Sequence, residues 1–287
     1  MRVCICISVL ACCLSPARSQ DLLRGRVLDS ADRSAVPYVS IGIEGKNVGT
    51  MSDAEGNFTL SVADAAGRAD TLLFSCVGYV PLKIPVSDVD FSRERSFALR
   101  RSDSPIPETV VRTSRSRRMK IGRSKVGTDL LSTATVCFSS PKPLGEECGM
   151  LLSSRHDCTV NRLSFFIRRN GFESASFRLT FYSVENGLPK DILGDKDIRF
   201  DLPDGYTGWV DLDLSECPVH VKAGDFAVTM TFLDGKQGDS AFRGLEFPVT
   251  VAPFSKYTLV GRDRALGAWS REGTVITLFM EAIAYPD

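Results

Sequence analysis

Apolar and polar residues alternate in short runs along most of the chain, and the runs predict β-strands. Val39, Ile41 and Ile43 share one face of a strand, with Ser40 and Gly42 between them, and Phe58, Leu60 and Val62 repeat the pattern. Residues 72–77 form a nearly continuous apolar run, as a strand covered on both faces would. Lys83 and Ile84 sit in the next strand, and Phe97 and Leu99 mark a last one. Gly45-Lys46-Asn47, residues 53–57 and Gly67 break the runs with residues that tolerate positive φ and close turns. No segment here holds a helical period over three turns. Short strands with regular turns predict a β-sandwich over residues 22–100.

The pattern returns with longer strands over residues 127–287. Leu163, Phe165 and Ile167 alternate with Ser164 and Phe166, and Phe177, Leu179 and Phe181 with Arg178 and Thr180. Val210, Leu212 and Leu214 alternate with Asp211 and Asp213, and Phe226, Val228, Met230 and Phe232 with Ala227, Thr229 and Thr231. Leu278 and Met280 take one face of a final strand, Phe279 and Ile283 the other. The apolar sets are expected to wall a core while their polar partners face water. Glu185-Asn186-Gly187 and Asp234-Gly235-Lys236 read as turns. About ten strands in roughly 160 residues predict a jelly-roll-like sandwich. The fold class is therefore all-β, with two sandwich domains.

Residues 101–126 break the pattern with Pro105, Pro107, many serines and a basic cluster of Arg112, Arg115, Arg117, Arg118, Lys120, Arg123 and Lys125. Asp103 and Glu108 alone oppose it, and the composition is that of a solvated linker. At the N-terminus, Met1-Arg2, an apolar stretch over residues 3–14 and Ala17-Arg18-Ser19 have the form of a secretory signal peptide, residues 1–19, cut before Gln20. A rival reading acylates Cys12 within Val9-Leu10-Ala11-Cys12. No later stretch is long and apolar enough to span a bilayer as a helix. The expected location is the periplasm, the outer membrane or outside the cell.

Charge and cysteines narrow the classes further. The 287 residues carry 35 basic and 35 acidic side chains, and loss of Arg2 and Arg18 leaves 33 against 35, a mature charge of −2. Nothing in that balance suggests a nucleic-acid partner. Cys76, Cys137, Cys148, Cys158 and Cys217 remain after the leader. An exported chain can oxidise them, and an odd number leaves at least one thiol unpaired or paired between chains; Cys148 with Cys158, across a short polar connection, is the preferred pair, with buried free thiols on strands as the alternative.

Candidate chemistry is sparse. His156 and His220 lack a His or Glu at metal-ligand spacing, so no metal or other cofactor is expected. No Gly-x-Ser-x-Gly elbow, His-Glu-x-x-His or phosphate loop occurs. Asp191, Asp195, Asp197, Asp201 and Asp204 cluster, but Lys190, Lys196 and Arg199 are interleaved and would repel a cation, so solvated loops are expected. Trp209, Tyr206, Tyr182 and Trp269 are the candidate glycan-binding residues, because flat rings stack on sugars. Tyr257 is a further aromatic of this kind.

Gly25-Arg26-Val27-Leu28-Asp29, Pro37-Tyr38-Val39-Ser40-Ile41, residues 49–60 and Leu73-Phe74-Ser75-Cys76-Val77-Gly78-Tyr79 together closely resemble the carboxypeptidase regulatory-like domain. The resemblance implies a transthyretin-like sandwich of seven strands. In it Asp53-Ala54-Glu55-Gly56 turns into the strand carrying Phe58, and Gly78-Tyr79 marks the turn after the core strand. The same domain precedes the plug of starch-utilisation-type TonB-dependent receptors, whose following strand resembles Glu108-Thr109-Val110-Val111-Arg112-Thr113. This chain has too few residues for a large membrane barrel and lacks the His-x-x-Glu of zinc carboxypeptidases. Residues 181–189 and 208–214 more faintly resemble uncharacterised secreted proteins with the same two-domain plan.

The leading expectation is a non-enzymatic, exported envelope protein that acts as an interaction or accessory module, with an envelope protein or a glycan as partner. A glycan-binding C-terminal sandwich is the first alternative. A hydrolase with dispersed catalytic residues is the second, and it requires a pocket with His156 or His220 beside a carboxylate and a Ser or Cys.

Overall fold

The computed structural model describes residues 22–62, 67, 69–102, 116–127, 132–141, 143–251 and 257–285. The leader at 1–19, with Cys12, lies outside them, as do Arg112, Arg115 and the motif beginning at Glu108.

Seven strands build the N-terminal lobe: β1 (Leu22–Asp29), β2 (Ser40–Ile43), β3 (Val48–Met51), β4 (Asn57–Ser61), β5 (Thr71–Ser75), β6 (Leu82–Pro85) and β7 (Arg95–Leu99). They make two sheets, ordered β4-β1-β7 and β3-β2-β5-β6, with β1 and β7 parallel and the other neighbours antiparallel. Val39, Ile41, Ile43, Phe58, Leu60 and Val62 are buried, as their alternation predicts. Phe58, Phe74 and Phe97 fill the middle, with ring centroids 4.5 to 5.8 Å apart. The Asp53 carboxylate accepts the amides of Glu55 and Asn57 at 3.0 and 2.7 Å, and Gly56 takes φ +80° to close the turn into β4.

The C-terminal lobe runs β8 (Arg117–Gly122), β9 (Ser132–Cys137), β10 (Glu147–Ser154), β11 (Asp157–Ile167), β12 (Arg169–Asn170), β13 (Phe172–Glu185), β14 (Leu188–Leu202), β15 (Gly208–Asp213), β16 (Val219–Val221), β17 (Gly224–Gln237), β18 (Leu245–Val251), β19 (Thr258–Arg262), β20 (Ser270–Glu272), β21 (Thr274–Ile276) and β22 (Leu278–Tyr285). One sheet is ordered β14-β13-β17-β10-β19-β20 and a second β15-β11-β22-β8, with β16 on β11. A smaller third joins β12, β18 and β21, with β9 on β18. Phe177, Phe181, Val228 and Met230 from the first sheet, Leu163, Phe165 and Met280 from the second and Phe247 from the third share one buried core. Asn186 and Gly187, at φ +53° and +74°, make the tight β13–β14 turn.

Four expectations need correction. Residues 117–122, assigned to the linker, form β8 and pair with β22. Met119 and Ile121 pack on the core between outward-facing Arg118 and Lys120, so the basic cluster hid a half-buried strand. Residues 234–236, read as a turn, lie inside β17, where the register against β13 slips between Phe177–Phe232 and Ser176–Asp234. The disulfide joins Cys148 to Cys137, with Cα atoms 6.4 Å apart, and Cys158 is a buried free thiol. Cys148 lies near the start of β10, and the strand carries the chain about 20 Å away before it turns into the other sheet at Cys158. Finally, the polar partners on β13 and β17 do not face water. Arg178, Thr180, Thr229 and Thr231 are all buried.

Candidate functional site

Strand alternation sends Phe177, Leu179 and Phe181 into the core and Arg178, Thr180 and Tyr182 to the opposite face of the six-stranded sheet. Thr229 and Thr231 of β17 stand beside them, in register with Thr180 and Arg178. Glu147 of β10 is opposite both Thr231 and Arg262 of β19. The N-terminal lobe covers this face.

The seam between the lobes is made largely from backbone groups. Arg178 Nη1 donates to the Tyr38 carbonyl at 2.9 Å, Arg264 Nη1 to that of Asn47 at 3.1 Å, and the Gly45 amide to that of Leu266 at 2.9 Å. Tyr38 and Leu266 adopt φ +56° and +60°, unusual for side chains of their size, and each presents its carbonyl across the seam. The Arg199 guanidinium lies 4.9 Å from the Tyr38 ring centroid. Gly49 runs so close to Ala265 that an added Cβ would collide with its carbonyl oxygen.

Under the seam sits a group of buried ionisable side chains. Glu147 is 2% exposed. One carboxylate oxygen accepts from Tyr182 Oη at 2.9 Å and from the Thr229 hydroxyl, and the other from Arg262 Nε and Nη2 at 2.8 and 2.6 Å. A buried carboxylate is tolerated on such terms, with a bidentate guanidinium and neutral donors filling its lone pairs. Arg178 makes a second bidentate pair with Asp197, through Nε at 2.5 Å and Nη2 at 3.0 Å, and Arg199 also donates to Asp197. Burial opposes the charge on Arg178 and Asp197, but their pairing outweighs it, leaving the guanidinium more basic and the carboxyl more acidic than usual.

A cleft of about 820 Å³ opens beside these groups and is lined by both lobes. Trp269 forms part of its wall. The Arg262 guanidinium lies 4.3 Å from its ring centroid, and Tyr182 stands edge-on at 5.7 Å. Burial, followed by the nearby Glu147 charge, pushes the Tyr182 hydroxyl well above its ordinary value. Tyr79, on the other wall, is pushed up to about 12 by burial and by its bond to Asp29. Burial also raises the Cys76 thiol, which lines the cleft, and the thiols of Cys158 and Cys217.

The four predicted glycan residues divide between two places. Tyr182 and Trp269 meet at the cleft. Trp209 and Tyr206 lie on the outer face of the sheet β15-β11-β22-β8, where Trp209 packs edge-on against Phe166 and Phe279, each at 5.5 Å. Tyr206 Oη donates to the Trp209 carbonyl at 2.5 Å, fixing the loop ahead of β15. His156 and His220 are exposed and line no part of the cleft. Of the aspartates read as a cluster, Asp197 is held in the seam and Asp201 accepts from Ser176. Among the described residues no His, Cys, Asp and Glu group is arranged to hold a metal ion. Glu147, Arg178 and Arg262 were not singled out from the sequence. The available signal was Arg178, a charge inside an otherwise strongly β-forming run.

The CarboxypepD_reg-like domain model matches residues 23–111. The N-terminal lobe is a CarboxypepD_reg-like domain. Its match ends before the C-terminal lobe, and no curated protein matches the chain. Among solved structures, the cysteine protease and lectin-like domains of a surface layer associated protein of Clostridium difficile align at 7% identity. That alignment covers 55% of this chain and 37% of the other, with a TM-score of 0.32, so this chain spans little more than a third of that neighbour's length. A candidate carbohydrate binding protein from Bacteroides uniformis aligns at 8% identity over 89% of this chain and 97% of its own, with a TM-score of 0.20. The CarboxypepD_reg-like domain and the two-walled cleft fit an accessory or binding module.

Proposed function

We propose that this protein is a non-catalytic, exported binding module of the cell envelope, and that the cleft between its lobes is the ligand seat. One observation carries the reading: the ionisable groups under the cleft are spent on each other. Glu147 is filled by Arg262, Tyr182 and Thr229, and Asp197 by Arg178 and Arg199. A nucleophile or base needs its reactive form favoured. The shifts at Cys76, Tyr79 and Tyr182 run the other way, toward the protonated and unreactive form. The leader at residues 1–19 supports export, and the absence of a long apolar helix among the described residues fits a chain without a helical membrane span.

The test has two arms. Against ester, peptide and glycoside substrates the purified mature chain should show no turnover. Turnover that disappears in Cys76→Ser or Tyr182→Phe would overturn the non-catalytic reading. Fractionated envelope extract should raise the melting temperature of the wild type but not of Ser75→Tyr, which fills the cleft from β5. Equal stabilisation of both proteins would remove the cleft as the ligand seat.

A further inference from the structure

Hydroxyl groups face the cleft from both lobes. Ser40 and Ser75, cross-strand neighbours on β2 and β5, line it on one side, and Thr180 and Thr231 on the other. Thr180 and Thr231 are 4% and 5% exposed, and each lines the cleft. Hydroxyls from both lobes along one cavity offer a ligand groups that donate and accept.

Charge limits what that ligand is. The lining cations (Lys83, Arg178, Lys190, Arg262) are matched by as many carboxylates (Glu44, Glu147, Asp191, Asp195). The two buried arginines are moreover held by Glu147 and Asp197. A charged ligand would find no net charge in that lining, and would have to break a buried pair to reach either arginine. What remains is a set of neutral groups that both donate and accept, together with the half-buried ring of Trp269.

Resting on the cleft as the ligand seat, we infer that its ligand is a neutral saccharide of a few rings. Sugar hydroxyls donate and accept as Ser and Thr do, and the C–H face of a pyranose stacks on an indole. The volume is in the range of sites that enclose small organic ligands. Ser40 and Ser75 place the N-terminal lobe in the binding site itself, so the seat needs both domains.

The full mature chain, probed on an array of neutral oligosaccharides, charged oligosaccharides and peptides, should bind neutral oligosaccharides. Titration of the best hit should show roughly tenfold weaker binding by Trp269→Ala. Thr180→Val and Thr231→Val keep the side-chain shape and should each weaken binding about fivefold, with little change in melting temperature. Trp209→Ala, on the outer face, should bind as the wild type does. A blank array, hits confined to charged sugars or peptides, or loss of binding in Trp209→Ala rather than Trp269→Ala would overturn the inference. A blank array with extract stabilisation still blocked by Ser75→Tyr discards the saccharide and keeps the cleft; no stabilisation by extract discards both.

Discussion

The two broad sheets of the C-terminal lobe have the same alternating sequence pattern and opposite outer faces. The six-stranded sheet turns Glu147, Arg178, Thr180, Tyr182, Thr229 and Arg262 outward, and another domain covers them. The sheet β15-β11-β22-β8 turns Trp209, Phe166, Phe279, Lys120 and Glu281 outward, half-exposed or exposed. The polar face is thus the dry one and the aromatic face the wet one. Period-two alternation reports only which side meets the lobe's own core. What covers the other side depends on partners far away in the chain. On the covered face, polar groups are held by networks in which each member depends on the rest. On the open face, contacts are pairs of rings on neighbouring or next-neighbouring strands.

The largest effect that separates the faces should come from Arg262→Leu. It leaves Glu147 buried with two neutral donors and no countercharge. Removing one partner of a buried ion pair costs about 3–5 kcal/mol. Chemical denaturation should show that loss, and the double variant Arg262→Leu/Glu147→Leu should recover a large part of it. If the single variant costs no more than an exposed substitution, the covered face is wetter than its geometry implies.

Arg178→Leu should cost less, about 1–3 kcal/mol, because Arg199 still bonds Asp197 and the carboxylate is partly exposed. Its mark should be local: faster amide exchange over residues 38–52, where Arg178 anchors the N-terminal lobe through Tyr38. Acid should act through the same pair. The Asp197 carboxyl is more acidic folded than its ordinary value of 3.8. Its contribution is therefore complete above that value and is lost as pH falls below it toward the folded pKa. Exchange across residues 38–52 should rise below pH 3.8 in the wild type, and less steeply in Arg178→Leu, where the main cause of the shift is gone.

Much of this molecule was legible from residue spacing. The sandwich class of the N-terminal lobe, the Asp53–Gly56 turn, the Asn186-Gly187 hairpin and the long C-terminal strands follow from local rules about alternation and positive φ, while the count of seven strands came from the family resemblance. The site was half legible. Tyr182 and Trp269 stood out as aromatics, but their partners Glu147 and Arg262 are 115 residues apart, and no local rule pairs them. Lys120 failed for a related reason. Its neighbours gave residues 117–122 the composition of a tether, while the alternation of Met119 and Ile121 gains meaning only beside β22. Cysteine pairing was misread because nearness in sequence is not nearness across a strand of eight residues.

The smallest effect belongs to the open face. Trp209 meets Phe166 and Phe279 edge-on, each at 5.5 Å, beside Ser164, which pairs in register with Phe279, is 1% exposed and donates to Asp211. Cross-strand aromatic contacts of this kind contribute about 0.5–1.5 kcal/mol beyond area burial. Trp209→Ala should therefore destabilise by about 1–2 kcal/mol, with part of the loss arising from the wetting of Ser164. A cycle with Phe166→Ala should give a coupling within that pairwise range, because the two rings touch each other and solvent rather than a network. A cycle between Trp209→Ala and Arg262→Leu should be additive within about 0.5 kcal/mol, since the two faces share no partner. Strong coupling between them would mean that the sheets transmit strain through the common core, and the two faces would then have to be treated as one cooperative unit.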